Sequence, residues 1–161
     1  MAPAESQPAE RRRLAIHPGS GSERKNWPEA RWAELMARLA STIDWDLVLV
    51  GGEAEGECLE RLALCWPAER LDVARSLPLV ELARRLADCR FFMGHDSGIT
   101  HLAAALGLPG LVLWGESPIR VWRPCQEAMR CVCGGARLGE LDLDEVWAAL
   151  TAHLRPDLPG L

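Results

Sequence analysis

The chain has no surplus of positive charge: 18 lysines and arginines stand against 23 aspartates and glutamates, for a formal net charge of -5. The broad cationic field needed to hold a phosphate backbone is therefore missing, and nucleic acid is not an expected partner. No apolar run approaches the roughly 18 residues of a membrane span, and the opening residues MAPAESQPAERRR contain no apolar stretch of the signal-peptide kind. A cytoplasmic protein is expected on both counts. A metal site is not expected either. Cys125, Cys131 and Cys133 form a C-x5-C-x-C cluster, but no fourth ligand follows at zinc-site spacing. Covalent staples are unnecessary, because 161 residues that are 48% hydrophobic can bury one core, with one domain as the default. Cys58, Cys65 and Cys89 fall on or beside apolar helical stretches and read as buried free thiols.

Residues 1–11, rich in Pro, Ala and Glu, read as a disordered tail, 12–155 as one domain, and 156–161 as a second tail. Within the domain, short apolar runs alternate with longer amphipathic ones, the pattern of a parallel sheet covered by crossover helices. An α/β fold with a sheet of about six strands in three layers is expected. The strands are placed at 14–17, 46–50, 71–74, 91–94, 111–114 and 130–133. Trp32, Leu35, Met36 and Leu39 recur at helical spacing behind Pro28, which suits a first helical position. Leu59, Leu62 and Ala63 mark a second helix, Leu79, Leu82, Ala83 and Leu86 a third, and Leu143, Val146, Trp147 and Leu150 the last. These stripes read as packing surfaces. A further helix is expected from about Ser97 to Gly107, with Pro109 as a stop.

Open parallel sheets bind ligands beyond the carboxyl ends of their strands, so chemistry is sought in the loops that follow them. The first, HPGSGSERKNWP, sets Gly19, Ser20, Gly21 and Ser22 after a strand and Lys25 before a helix. Glycine lets the backbone approach an anion, serine adds hydroxyl donors, lysine adds a charge, and the helix start offers free N–H groups. The loop lacks the GK[ST] ending of a Walker A sequence and the GxGxxG dinucleotide fingerprint. A Gly/Ser turn with a solvated lysine fits the same residues. The fourth loop, GHDSGITH, places Asp96, Ser97, Gly98 and His101 at the mouth of an apolar helix, where exposed N–H groups can meet a ligand. A capped helix, with Asp96 or Ser97 accepting a backbone N–H, explains the same pattern. His17 and His95, at strand ends, read as hydrogen-bonded structural histidines.

Three segments in this order, HPGSGSERKNWPEARWAELMARL, LVLVGGEAEGECLERLA and LVELARRLADCRFFMGHDSGITHLAAALGLPGLVLWGESP, resemble the heptosyltransferases of lipopolysaccharide core assembly, family nine of the glycosyltransferases. The D-[ST]-G-x-x-H-x-A-A core of the last is the most specific. The resemblance implies a Rossmann-like domain equivalent to the C-terminal, donor-binding half of a GT-B fold. It also implies inverting transfer from an ADP-heptose-type nucleotide-sugar, which is the substrate, with no obligatory cofactor or metal. By motif, Ser20, Gly21, Lys25, Ser97 and Gly98 would contact the donor diphosphate, Asp96 would sit beside the transferred sugar, and His101 would support the phosphate-side cluster. Glu55 would hydrogen-bond the ribose and Leu77 would pack against the base. Lys25 and Asp96 are the expected catalytic residues. The family's catalytic base, an aspartate of the N-terminal domain, has no counterpart here, so this chain alone is expected to be incomplete for catalysis. An acceptor-binding domain in cis or in trans is an expected partner, with peripheral contact at the cytoplasmic face of the inner membrane through the full enzyme. A homodimer through the face left by the other half is a further partner the reading leaves open. Pro78 departs from the family by standing where a capping serine or threonine is more usual.

Two other readings stay open. One is a non-catalytic nucleotide or nucleotide-sugar binding module acting in regulation or scaffolding. The other is half of a GT-B-shaped sugar-nucleotide epimerase, against which the D-S-G-I-T-H segment speaks.

Overall fold

Apolar runs too short for helices become strands here, the central ones covered on both faces. The computed structural model describes residues 11–135 and 137–155. The expected tails lie outside these residues except for Arg11, whose guanidinium stands 3.7 Å from Asp46 Oδ1. The element order is β1 (Arg13–Ile16), α1 (Glu29–Thr42), β2 (Asp46–Gly51), α2 (Gly56–Ala63), β3 (Leu71–Arg75), α3 (Leu79–Ala87) and β4 (Phe91–His95). It continues with α4 (Gly98–Ala105), β5 (Gly110–Trp114), α5 (Ile119–Trp122), β6 (Met129–Cys133) and α6 (Leu143–Leu154). All six strands pair in parallel, in the order β3-β2-β1-β4-β5-β6. Each expected strand lies within one residue of the observed bounds.

Side chains alternate across each strand, and the alternation builds two cores. Leu14, Ile16, Leu47, Leu49, Phe91, Met93, Leu111 and Leu113 face a layer made by α1, α2 and α6, with Trp32, Leu35 and Leu39 of α1 and Val146 and Leu150 of α6 closing it. Ala15, Val48, Val50, Phe92 and Val112 face the opposite layer, where Leu82 and Leu86 of α3 and Ala103 and Ala104 of α4 cover them. β4 and β5 are buried along their whole length, which is why they read as continuous apolar runs.

Four expectations need correction. Pro28 is the N-cap of α1, with extended ψ of 137°, and Glu29 is the first helical residue. α4 ends at Ala105, before Gly107, whose φ of +80° is a left-handed conformation that glycine adopts without steric cost. Leu79 does not pack: it is 64% exposed beside Val80, because α3 turns only Leu82 and Leu86 to the sheet. Trp147 packs half-buried against the core as its stripe implied, with the Arg38 guanidinium carbon 4.1 Å from its ring centroid. Cys89 is buried as expected, whereas Cys58 and Cys65 are half-buried, and all six cysteines are free. α5 has no counterpart in the sequence reading, since four residues are too few to show a period.

Candidate functional site

The strand order reverses between β1 and β4. From β1 the chain crosses to β2 and β3 on one side, then returns to place β4 on the other. The loops after β1 and β4 therefore diverge to opposite faces of the sheet and leave a crevice between them, the usual ligand position in such sheets.

His95, the last residue of β4, ties the two loops together. Its Nε2 accepts the Trp27 N–H at 2.9 Å, while its Nδ1 is 3.2 Å from the Gly19 carbonyl, so the neutral ring with its proton on Nδ1 satisfies both. The edge of Trp32 lies against the same ring at a centroid distance of 5.4 Å. Burial pushes the His95 pKa down to about 4, against a smaller upward pull from the Gly19 carbonyl. His17 is also lowered to about 4 by burial, with the Glu55 carboxylate opposing. Both are the structural histidines expected of them.

Ser97 is the N-cap of α4: its Oγ accepts the Thr100 N–H at 3.4 Å and lies 3.4 Å from His17 Nδ1. The Thr100 hydroxyl donates to the His95 carbonyl, holding the turn shut from below. The capped-helix reading of Ser97 is thus correct. It also leaves Gly98 exposed at the first turn of α4, where an added Cβ would meet nothing within 4 Å.

In the first loop, Gly21 has φ of +77°, a left-handed turn that a side chain would strain. The Ser20 hydroxyl bonds inside the loop, 2.6 Å from Asn26 Oδ1 and 2.8 Å from the Ser22 carbonyl. Lys25 closes a short 3-10 turn (Glu23–Lys25) and reaches across the crevice, with its Nζ 3.2 Å from Asp96 Oδ2.

A cavity of about 370 Å3 results, lined by Ser20 and Lys25 from one loop and Asp96, Ser97, Gly98 and His101 from the other. Six of the nine candidate residues thus share one space. Gly21 and Glu55 line a neighbouring, larger cavity of about 780 Å3 between the first loop and the start of α2. There the Glu55 carboxylate accepts the Gly52 N–H at 2.8 Å and presses on Gly19, where a Cβ would lie 2.6 Å from its Oε1. Leu77 lines neither cavity and packs, half-buried, against the α3 and α4 core.

Two residues escaped the sequence reading. Asn26 fixes Ser20, and the only hint was an amide beside a Gly/Ser turn. Trp122 forms a wall of the smaller cavity, yet a tryptophan outside any periodic stretch carries no mark of its position. Among the described residues, no three His, Cys, Asp or Glu side chains gather as a metal ion would need, and no helix is long and apolar enough to cross a membrane.

Known proteins resemble this chain in sequence and fold. The family model for glycosyltransferase family 9 (heptosyltransferase) matches residues 1–146. Lipopolysaccharide heptosyltransferase 1 of Salmonella typhimurium is 31% identical over 132 residues, which are 78% of this chain and 39% of that protein. The Pseudomonas aeruginosa lipopolysaccharide heptosyltransferase 1 is 40% identical over 94 residues, 58% of this chain and 26% of that protein. Among solved structures, E. coli heptosyltransferase WaaC with ADP superposes with a TM-score of 0.81 at 25% identity, covering 91% of this chain and 46% of that one. E. coli ADP-heptose lipopolysaccharide heptosyltransferase II gives 0.80 at 25% identity, covering 94% and 49%. The chain spans about half, or less, of the length of these relatives. With the family model matching well over half of its residues and the fold shared with the solved heptosyltransferases, the chain belongs to glycosyltransferase family 9.

Proposed function

We propose that this chain is the donor-binding, C-terminal half of an inverting glycosyltransferase of lipopolysaccharide core assembly, and that its donor is an ADP-heptose-type nucleotide-sugar. One observation carries the reading: loops separated by 71 residues bring Lys25 and Asp96 within 3.2 Å of each other at the switch point of the sheet, beside the open first turn of α4. An ammonium group and free helix N–H groups around one cavity suit a diphosphate. WaaC was solved with ADP and with ADP-2-deoxy-2-fluoro heptose, which supports the same ligand class here.

In this reading the negative charge that builds on the departing diphosphate meets the N–H groups of α4, fixed by the helix, and the Lys25 ammonium, which exchanges part of its contact with Asp96 for phosphate. Asp96 lies beside the transferred sugar, and His101 completes the phosphate-side wall. Glu55 and Leu77 flank the direction in which ribose and base would extend. Deprotonation of the acceptor hydroxyl falls to a base on an acceptor-binding domain, in cis or in trans.

Thermal melts of this chain with ADP, UDP and GDP test the reading, because a ligand that binds only the native state raises stability by RT ln(1 + [L]/Kd). ADP should stabilise most. Equal responses to the three nucleotides, or none, would remove the adenosine donor from consideration.

A further inference from the structure

Trp122 ends α5 with its side chain 56% exposed, while the other six tryptophans are buried or half-buried. It stands in the wall of the same cavity as Lys25, Asp96, Gly98 and His101. Leaving so large an apolar side chain in water forgoes the burial that favours tryptophan elsewhere in this fold, so the position calls for something to cover it.

The strand order gives the cavity a direction. Leu77 follows β3, Glu55 follows β2, Ser20 and Lys25 follow β1, Asp96 to His101 follow β4, and Trp122 follows β5. With neighbouring strands about 4.8 Å apart, this row spans roughly 19 Å. A ligand whose diphosphate sits between Lys25 and Gly98, and whose nucleoside extends towards Glu55 and Leu77, points its sugar in the opposite direction along this row. That direction leads to β5 and the indole of Trp122.

We propose that Trp122 is the donor-sugar platform, a specificity-determining residue that lets the site tell a nucleotide-linked sugar from the free nucleotide. The inference rests on the donor-binding reading above. The indole face carries the negative lobe of a quadrupole, and the C–H bonds on one face of a pyranose ring present partial positive charge to it. Asp96, at the edge of the same cavity, accepts hydrogen bonds, as the hydroxyls around that ring require. A ring with one apolar face and a polar rim matches a wall made of indole and carboxylate. An apolar protein surface matches it less well, because it would take the Lys25–Asp96 ion pair and His101 out of water with no new polar contact in return.

Binding of ADP and of ADP-heptose to the unsubstituted chain, Trp122→Ala and Trp122→Phe, measured by calorimetry, provides the test. Trp122→Ala should leave ADP affinity within twofold and weaken ADP-heptose about three- to tenfold, with Trp122→Phe restoring most of the loss. Acrylamide quenching gives a second readout, since Trp122 is the exposed indole among the described residues. ADP-heptose should shield the quenchable emission that Trp122→Phe lacks, and ADP should not. Normal ADP binding with no selective loss of ADP-heptose in Trp122→Ala overturns the sugar platform alone. An unsubstituted chain that binds neither ligand overturns the donor-binding reading with it.

Discussion

Lys25 Nζ and Asp96 Oδ2 lie 3.2 Å apart across the crevice, the lysine 44% exposed and the aspartate 14%. A half-exposed ion pair contributes little to stability, about 0–1 kcal/mol. Its ammonium is nevertheless poised at the place where a diphosphate would compete for it. Lys25→Ala should therefore lower the melting temperature by only a few degrees while weakening ADP by about ten- to a hundredfold, the range expected for a lost charged hydrogen bond. An unchanged ADP-induced thermal shift in that variant would count heavily against the cradle.

Asp96→Ala separates the two ends of the donor. Removing the carboxylate frees Lys25 for phosphate, so ADP should bind as well as before or better. ADP-heptose should lose affinity by about tenfold, as the sugar hydroxyls lose an acceptor of charged character. Parallel losses for both ligands in calorimetric titrations would place Asp96 elsewhere.

Gly98 distinguishes ligand approach from folding. An added methyl meets no protein atom within 4 Å, and alanine is the better helix former by about 1 kcal/mol. Gly98→Ala should match or exceed the unsubstituted chain in a melt without ligand, yet bind ADP at least about tenfold more weakly, because the methyl stands where the anion approaches the helix N–H groups. A variant that is both stable and fully competent for ADP would show that the diphosphate lies elsewhere.

His95 couples the loop to the sheet. His95→Leu strands the Trp27 N–H and the Gly19 carbonyl in a buried place, at a cost of about 1–3 kcal/mol for each group left unpaired. Urea unfolding should register a loss of about 2–6 kcal/mol. ADP affinity should fall as well, because Ser20 and Lys25 hang from the loosened segment.

Acid should unfold the chain through these rings. His17 and His95 have folded pKa values lowered to about 4, so between pH 4 and 6.5 the unfolded chain binds more protons than the folded one. The stability they confer is complete above about pH 6.5 and is lost as the pH falls towards 4, by up to about 1.4 kcal/mol per pH unit for each ring. Urea midpoints across this range should fall less steeply for His17→Asn than for the unsubstituted chain. Identical slopes would show that folding leaves the His17 pKa unshifted.

The central strands were readable because strands buried on both faces are apolar along nearly their whole length, as Phe91–Gly94 and Gly110–Trp114 are, while the edge strands β3 and β6 showed only as shorter apolar runs with exposed positions. Helix faces were less so. Leu79 carries the same helical spacing as Leu82 and Leu86, yet only tertiary packing turns two of the three to the sheet. In the site, residue type and loop position pointed to Ser20, Lys25, Asp96, Ser97, Gly98 and His101, which share one cavity. Glu55 stands in the cavity beside it, and Leu77 lies in neither. Trp122 was invisible, because a tryptophan in a four-residue helix looks the same in sequence whether it is covered or open.

By itself, the amino-acid order determined that short apolar runs alternate with amphipathic helices, and that glycines, an acid and a lysine stand at the loops following two of those runs. The fold alone decided that these two loops meet. Any apolar strand can pair with any other, so the runs carry no record of their lateral order. Hydrogen bonding of β1 to both β2 and β4, enforced by the helices that must cover each face, is what brings Lys25 to Asp96.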